Sequence, residues 1–450
     1  CLHVVGLAAT IALIIGIGVR SGRKVRSAAD FSSGGGRAGS WIVCGAIMGT
    51  LVSGQATIAT AQLAFSYGMS AWWFTLGSGI GCLILAIGYA EPFRHSGCST
   101  LLQIVSKEYG PRAESLGSIF CSIGIFISVV AQVLSATALL ITIFPINSIA
   151  AAVASIALMA FYVVFGGMWG AGMGGLAKLI LLYVTSILGG ILVLVIAGGF
   201  SGLMESLQSL LAGTALGAQN GLTDTAVVHE RFTSLLARGA SKDIGSALSL
   251  VLGVLSTQTY AQATWSGKTD RVAKKGALLS AFLIPPIGVA CILIGLYMRG
   301  HCIVVDEVLA LQAMGQAVPE GLIQIESTAQ VFPVFVVNFM PALLGGVVLG
   351  TLFITVVGGG SGRAFGMASI LVTDIFTRRY PRIKESGWNL EVTRGTIMAV
   401  LILAAVVAVL VPGAMINDFG FLSMGLRGAV VFLPMCGGLW LRGKIAPAFA

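Results

Sequence analysis

Two short polar runs interrupt long apolar stretches of the sequence. The first is Gly49-Thr50-Leu51-Val52-Ser53-Gly54-Gln55-Ala56-Thr57. The second is Ser256-Thr257-Gln258-Thr259-Tyr260-Ala261-Gln262-Ala263-Thr264. A helix that unwinds at such a run frees backbone carbonyls for a cation and aims a half-helix N-terminus at an anionic group. The chemistry on offer is binding: oxygen ligation of a small cation and hydrogen bonding of a polar solute. The bland reading is that small and hydroxylated residues let helices pack closely. Two runs of one kind, five apolar segments apart, favour the binding reading, because paired interrupted helices mark transporter sites built from inverted repeats.

Charges inside apolar segments are the second chemical signal. Lys178 can snorkel to an interface or point inward. Arg363 and Arg427 can be interfacial or pair with a carboxylate, Asp418 lying in the same segment region as Arg427. Glu91 and Asp374 fall near segment ends and read as structural. Bond-making chemistry finds no support. His3, His95, His229 and His301 lie apart, and no nucleophile elbow or metal motif occurs, so an enzyme is not expected. No channel selectivity-filter motif is present. Of the eight cysteines, Cys44, Cys82, Cys121 and Cys291 sit in apolar runs as small hydrophobes, and no disulfide framework is expected.

The elements that carry these residues must lie in a bilayer. Apolar residues make up 56% of the 450 and charged residues 10%, with mean hydropathy +0.96. A soluble globule carries about 25% charged residues. The apolar runs are continuous rather than alternating, which excludes a β-barrel. Eleven segments can be counted: 2–19, 41–66, 70–93, 115–143, 146–166, 170–199, 243–264, 276–298, 341–373, 394–412 and 419–441. The expectation is an all-α polytopic protein of about 11 transmembrane helices. The stretches 200–242 and 299–340 are too small for separate domains and suit short helices over one face. Val331–Met340 is apolar but too short to span and reads as re-entrant or interfacial.

The net charge of +9 could suggest nucleic acid, but the basic residues concentrate in a few links, so no nucleic acid partner is expected. The links 20–40, 265–275 and the stretch after 373 are basic; the link 299–330 is acidic. The positive-inside rule puts the first three in the cytoplasm and the last outside. Helix parity then places the N-terminus outside and the C-terminus inside, in a cell membrane. The first residue is Cys1 rather than Met, which leaves open where the native chain starts.

Four stretches resemble the sodium:solute symporter family. They are Gly35-Gly36-Arg37, Gly39 and Trp41 leading to Thr50-x-x-Ser53-Gly54 and Tyr67-Gly68-x-x-Ala71-Trp72; Gly166-Gly167-Met168-Trp169; Gln258-x-x-x-Gln262 followed by Lys268; and Ala368-Ser369-Ile370 with Thr373-Asp374-Ile375. The resemblance implies a LeuT-type 5+5 inverted-repeat fold in a single transporter domain, with an extra N-terminal helix (1–20), a first repeat (41–200) and an inverted second repeat (243–441). Core helices are counted from the second segment.

The resemblance also implies a sodium ion between core helices 1 and 8. Its carbonyl ligands map to Gly49, Val52 and Thr355, and its two hydroxyl ligands to Gly358 and Gly359, where both hydroxyls are missing. A carboxylate found on core helix 5 in many members maps to Gly175. Ser361 matches half of a second, less common sodium site. Lys178, one turn after Gly175, is a candidate replacement for the metal charge and could load and release a proton. Na+ or H+ is therefore the expected coupling ion, with cation-independent transport left open and no other cofactor.

The leading expectation is a solute:cation symporter for a small polar organic solute. Residues expected to line its pocket are Ser53, Gln55, Ala56, Trp72, Thr75, Gln132, Thr257 and Gln258. The rival is a transporter-like sensor or structural membrane protein without transport. A sensor is expected to continue into a soluble signalling part, and the sequence ends at Ala450. The substrate and the oligomeric state are not legible.

Overall fold

The computed structural model describes residues 3, 5–13, 38–98, 100–376, 389–411 and 413–444, with the side chains of 162–178, 373–375 and 389–390 outside that set. The first polar run breaks its helix. Helix α1 (Ser40–Leu51) ends where Val52 turns extended, and α2 (Ile58–Tyr67) starts after Thr57. Hydroxyls replace the lost helix partners: Thr57 Oγ1 donates to the Ser53 carbonyl at 3.1 Å and Thr60 Oγ1 to the Gln55 carbonyl at 3.2 Å. Gly54 sits in the break because a Cβ there would lie 2.8 Å from Ser135 Cβ and 3.0 Å from Val356 Cγ2. Two neighbouring helices thus close on the unwound backbone.

A short tight turn (Gly68–Trp72) leads into α3 (Trp73–Ile84), which continues through one wider turn into α4 (Ala90–His95). Then follow α5 (Leu101–Tyr109), α6 (Pro111–Ile143) and α7 (Ser148–Ile196). The backbone of α7 is one continuous helix where the sequence reading has two segments, 146–166 and 170–199. No proline lies between them, so nothing in the chain removes an amide donor there. The Gly166–Trp169 motif, Gly175 and Lys178 fall on side chains outside the described set.

The second run also breaks. Helix α11 (Ala240–Leu255) and α12 (Gln258–Ser266) meet at Ser256 and Thr257 with a bend of 45°. Between α7 and α11 lie the short helices α8 (Gly199–Leu211), α9 (Ala215–Gln219) and α10 (Thr225–Thr233). Helix α13 (Asp270–Arg299) follows, then α14 (Val305–Ala313) flanked by strands β1 (Cys302–Val304) and β2 (Ile323–Ile325). The strands pair in parallel, Cys302 opposite Ile323 and Val304 opposite Ile325. Sequence reading missed this pair, whose β-branched residues suit a pleated surface. The apolar Val331–Met340 stretch forms α15 (Val331–Phe339), buried along its first two turns. Helices α16 (Ala342–Ile370), α17 (Asn389–Leu410) and α18 (Ile416–Trp440) complete the chain.

Among the described residues, seven helices are long and apolar enough to cross a membrane, eight with the bent α11–α12 pair. The count of eleven is not reached on length alone, since α1 and Thr328–Phe339 are shorter apolar stretches and the side chains of 162–178 in α7 lie outside the described set. Helix α13 packs against α1, α2, α3 and α7; α6 packs against α7, α16 and α18; α11 packs against α3 and α18. The first segment is helical over 5–13 and lies on α16, where Gly350 meets Leu7 and Thr10. Large apolar side chains face outward, Phe282 at 69% and Leu410 at 73% exposed. Water would penalise that surface and lipid does not.

Candidate transport site at the helix breaks

Three elements converge on the first break. Ser53 is fully buried in it, Gln132 comes from α6, and Gly359 and Arg363 come from α16 one turn apart. Gln132 Nε2 donates to Ser53 Oγ at 3.3 Å. Arg363 Nη2 donates to the Thr50 carbonyl at 3.2 Å and to Ser53 Oγ at 3.4 Å. Thr50 belongs to the last turn of α1, whose carbonyls have no partner inside the helix. The space beside Gly359 is where these groups meet: a Cβ there would lie 3.4 Å from Gln132 Oε1, 3.5 Å from Ser53 Cβ and 3.6 Å from Arg363 Nη1. Gln132 Oε1 and Arg363 Nη1 are both buried without a hydrogen-bond partner. A buried polar atom left in that state is costly and suits a ligand or water that completes it.

Gln55 turns away from this group. It approaches α18 at Gly420, where its Nε2 is buried without a partner. Asn417, one turn earlier on α18, is fully buried, and neither of its side-chain polar atoms has a partner. Gln62, two turns beyond Gln55, ties α2 to α18. Its Oε1 accepts from the Ile416 amide at 3.0 Å, and its Nε2 donates to the Ala414 carbonyl and Thr328 Oγ1, each at 3.0 Å. Ala56 is buried in the break itself, its amide donating to the Ser53 carbonyl.

The second break has its own arginine. Arg427 Nη1 donates to Thr257 Oγ1 at 3.0 Å, and Thr257 Oγ1 donates to the Gly253 carbonyl at 2.6 Å. Ser256 Oγ is buried there without a partner. Sequence reading offered Arg363 and Arg427 as interfacial or paired with a carboxylate. The carboxylate reading does not fit: both guanidinium groups bond neutral oxygens at helix breaks, and the ion pairs found among the described residues include neither. Asp418, the nearest carboxylate in sequence to Arg427, instead joins Arg238 and Lys242.

Other candidate residues lie apart from the central group. Gln258 Oε1 accepts from the Leu101 amide at 2.8 Å and so helps cap α5. Trp72 Nε1 donates to the Pro285 carbonyl at 3.1 Å, and its ring lines an apolar groove of about 460 Å³ with Ile187, Ile191 and Phe282. Thr75 Oγ1 donates to the Trp72 carbonyl, against Gly288 of α13.

The residues mapped to sodium bring few side-chain oxygens to the break. Gly358 and Gly359 bring no hydroxyl. Thr355 Oγ1 donates along its own helix to Thr351, and Ser361 Oγ donates to the Met159 carbonyl at 2.9 Å. Gly49 lies in the last turn of α1, and Val52 is buried in the break. Among the described residues, the guanidinium of Arg363 reaches this break, at the Thr50 carbonyl and Ser53 Oγ.

The model of the sodium:solute symporter family matches residues 31–433. Among solved structures, the chain is similar to the substrate-bound outward-open state of a Na+-coupled sialic acid symporter. The two share 18% identity over 96% of this chain and 87% of that chain, with a TM-score of 0.66. At that identity the likeness carries the fold alone: a LeuT-type helical membrane protein.

Proposed function

Because the chain belongs to the sodium:solute symporter family, and is therefore an integral membrane symporter rather than an enzyme, we propose that it carries a small polar organic solute held at the two helix breaks. One observation carries this reading. Gln55 Nε2, Gln132 Oε1, Ser256 Oγ and Arg363 Nη1 are all buried without partners, and all lie at or against the breaks. They offer both donors and acceptors, which suits a solute bearing hydroxyl, amide or carboxylate groups. Ser53 and Gln132 are the central ligands in this reading. Thr257 and Gln55 flank them, and Trp72, Thr75 and Gln258 support the surrounding helices.

The 41–200 and 243–441 halves act as inverted repeats that rock around this site. The positive-inside rule supports a cell-membrane protein with 265–275 in the cytoplasm and 299–330 outside. A cysteine placed in 299–330 should then react with an impermeant reagent from outside, and one in 265–275 should not.

The test is uptake into proteoliposomes under separate Na+ and H+ gradients. The solute panel spans sugars, sugar acids including sialic acid, amino acids and organic acids. Concentrative uptake of one class, weakened about 2- to 10-fold in affinity by Ser53→Ala or Gln132→Ala, is the expected result, a loss of ~0.5–1.5 kcal/mol per hydrogen bond. Binding without uptake returns the sensor reading. Unchanged affinity in both variants moves the solute elsewhere.

A further inference from the structure

We propose that the guanidinium of Arg363 is a built-in cation at the junction of α1 and α16, and that this position takes no sodium. The proposal rests on the reading of the first helix break as the transport site. It starts from the end of α1. The last carbonyls of a helix lack internal partners and carry the negative end of its dipole. Val52 N–H closes on Met48, and the Thr50 carbonyl instead accepts from Arg363 Nη2 at 3.2 Å. The same nitrogen reaches Ser53 Oγ at 3.4 Å. A cation at this place stabilises the broken helix, and the chain supplies one from its own side chain.

Sodium is poorly served by what remains. It prefers several oxygen ligands. Gly358 and Gly359 supply no hydroxyl, and Ser361 Oγ donates to the Met159 carbonyl across the α16–α7 contact. Charge opposes it as well. At an effective dielectric of about 20 and a separation of about 4 Å, repulsion between two unit charges weakens cation binding on the order of a thousandfold. Among the described residues no carboxylate pairs with Arg363 to offset this.

Room for a hydroxyl at position 359 still exists, because a Cβ there would make only ordinary contacts at 3.4 to 3.6 Å. The ligand set is therefore lost through residue type and not through collapse of the space. Gly359 and Arg363 are one helical turn apart on the same face, so the guanidinium folds back over the gap that the missing side chain leaves. Arg does not exchange its proton in the working range, so the position serves neither Na+ nor H+. A coupling cation, where one is used, binds elsewhere.

The test is chemical rescue, read as the melting temperature of purified protein in nanodiscs at fixed ionic strength. Arg363→Ala should melt below the wild type. Millimolar methylguanidinium should recover much of the loss, and so should Na+ replacing choline. The wild type should respond less to both. Gly359→Ser combined with Arg363→Ala should lower the Na+ concentration for half-recovery at least tenfold. If Arg363→Ala does not survive purification, Arg363→Gln keeps donors toward Thr50 and Ser53 without the charge, and it should bind more 22Na+ per chain than the wild type. Equal Na+ responses or equal ion counts in variant and wild type would overturn the proposal, as would a stability loss that methylguanidinium leaves untouched. These readouts need no solute, so a failed uptake assay leaves them intact.

Discussion

Arg427 Nη1 donates to Thr257 Oγ1 at 3.0 Å, fastening α18 to the break between α11 and α12. The rest of the guanidinium is used on its own helix. Nε donates to the Ser423 carbonyl at 3.1 Å, and Nη2 to Ser423 Oγ at 2.9 Å and Met424 Sδ at 3.3 Å. Ser423 Oγ in turn donates to the Gly124 carbonyl of α6 at 2.6 Å. The two breaks thus carry arginines of different kinds. Arg363 keeps one buried nitrogen without a partner, whereas Arg427 is a brace among α6, α11 and α18.

Arg427→Met should therefore destabilise the protein without altering its response to Na+. Hydrogen bonds to charged groups contribute about 1.5–3 kcal/mol each, and the substitution removes bonds to both Thr257 and Ser423. Arg427→Lys should fall between, because one ammonium lacks the fork that reaches both residues. Thermal unfolding in nanodiscs measures this, and wild-type stability in Arg427→Met would show that the brace carries no load.

Gln62 is the second load point. It joins α2 to the start of α18 through the Ile416 amide and the Ala414 carbonyl. Gln62→Leu keeps the volume and removes all three bonds. Leaving buried backbone groups unpaired costs about 1–3 kcal/mol each. Gln62→Glu should cost less where its buried carboxyl is protonated, since the acid then keeps an acceptor for Ile416 and a donor toward Ala414. Unfolding midpoints in the order wild type, Glu, Leu are expected, and a Leu variant as stable as the wild type would contradict this.

Both breaks were legible as polar runs with glycines inside apolar segments, and the structure ends helices at Leu51 and Leu255, where those runs begin to turn polar. What occupies the breaks was not legible. Arg363 and Thr50 are 313 residues apart, and nothing local says that their helices touch. Gln258 shows the same limit. Its amide suits a pocket by type, yet the packing of α12 hands it the Leu101 amide. Trp72 is drawn to α13 because its indole N–H finds the Pro285 carbonyl. Residue type fixes which bonds a side chain can make, and tertiary contact decides which of them it makes.

Arg238 and Asp243 form a buried pair at the entrance of α11, 1% and 0% exposed at their side chains and 2.7 Å apart. Ser70 of the turn before α3 donates to Asp243 at 2.7 Å, and Arg238 also reaches Asp418 of α18 at 3.2 Å. Asp243→Ala leaves a buried guanidinium that keeps the hydroxyls of Ser70 and Ser246 but, among the described residues, has only the half-exposed Asp418 as a carboxylate partner. Breaking a buried pair from one side costs about 3–5 kcal/mol, while replacing both partners by apolar groups is often near neutral. The double change Arg238→Met with Asp243→Leu should therefore melt above Asp243→Ala alone. If the double variant melts lower, the pair's value lies in its ties to Ser70 and Asp418.

Glu307 gives a pH-dependent contact outside the spanning helices. Burial pushes its carboxyl up, but the hydrogen bonds and charge of Arg299 pull it down further, helped by Asn220 and the Val304 amide, so its pKa lies below the ordinary glutamate value. Arg299 holds both carboxylate oxygens, at 2.8 and 3.0 Å. A depressed folded-state pKa means that the ionised form contributes stability above the unfolded value, ~4.3. That contribution is complete above about pH 5 and fades as the pH falls below ~4.3 and through the folded value. Arg299 is 3% exposed at its side chain and stacked 4.7 Å over Phe65, so acid leaves a buried guanidinium without its carboxylate. Hydrogen exchange across 299–330 should accordingly rise between pH 5 and pH 3 in the wild type, after correction for the intrinsic rate. In Glu307→Gln it should already be fast at pH 6 and change little on acidification. A Gln variant with the wild-type profile would assign the acid response to another group and leave the Arg299 pair without a measurable part in holding this segment.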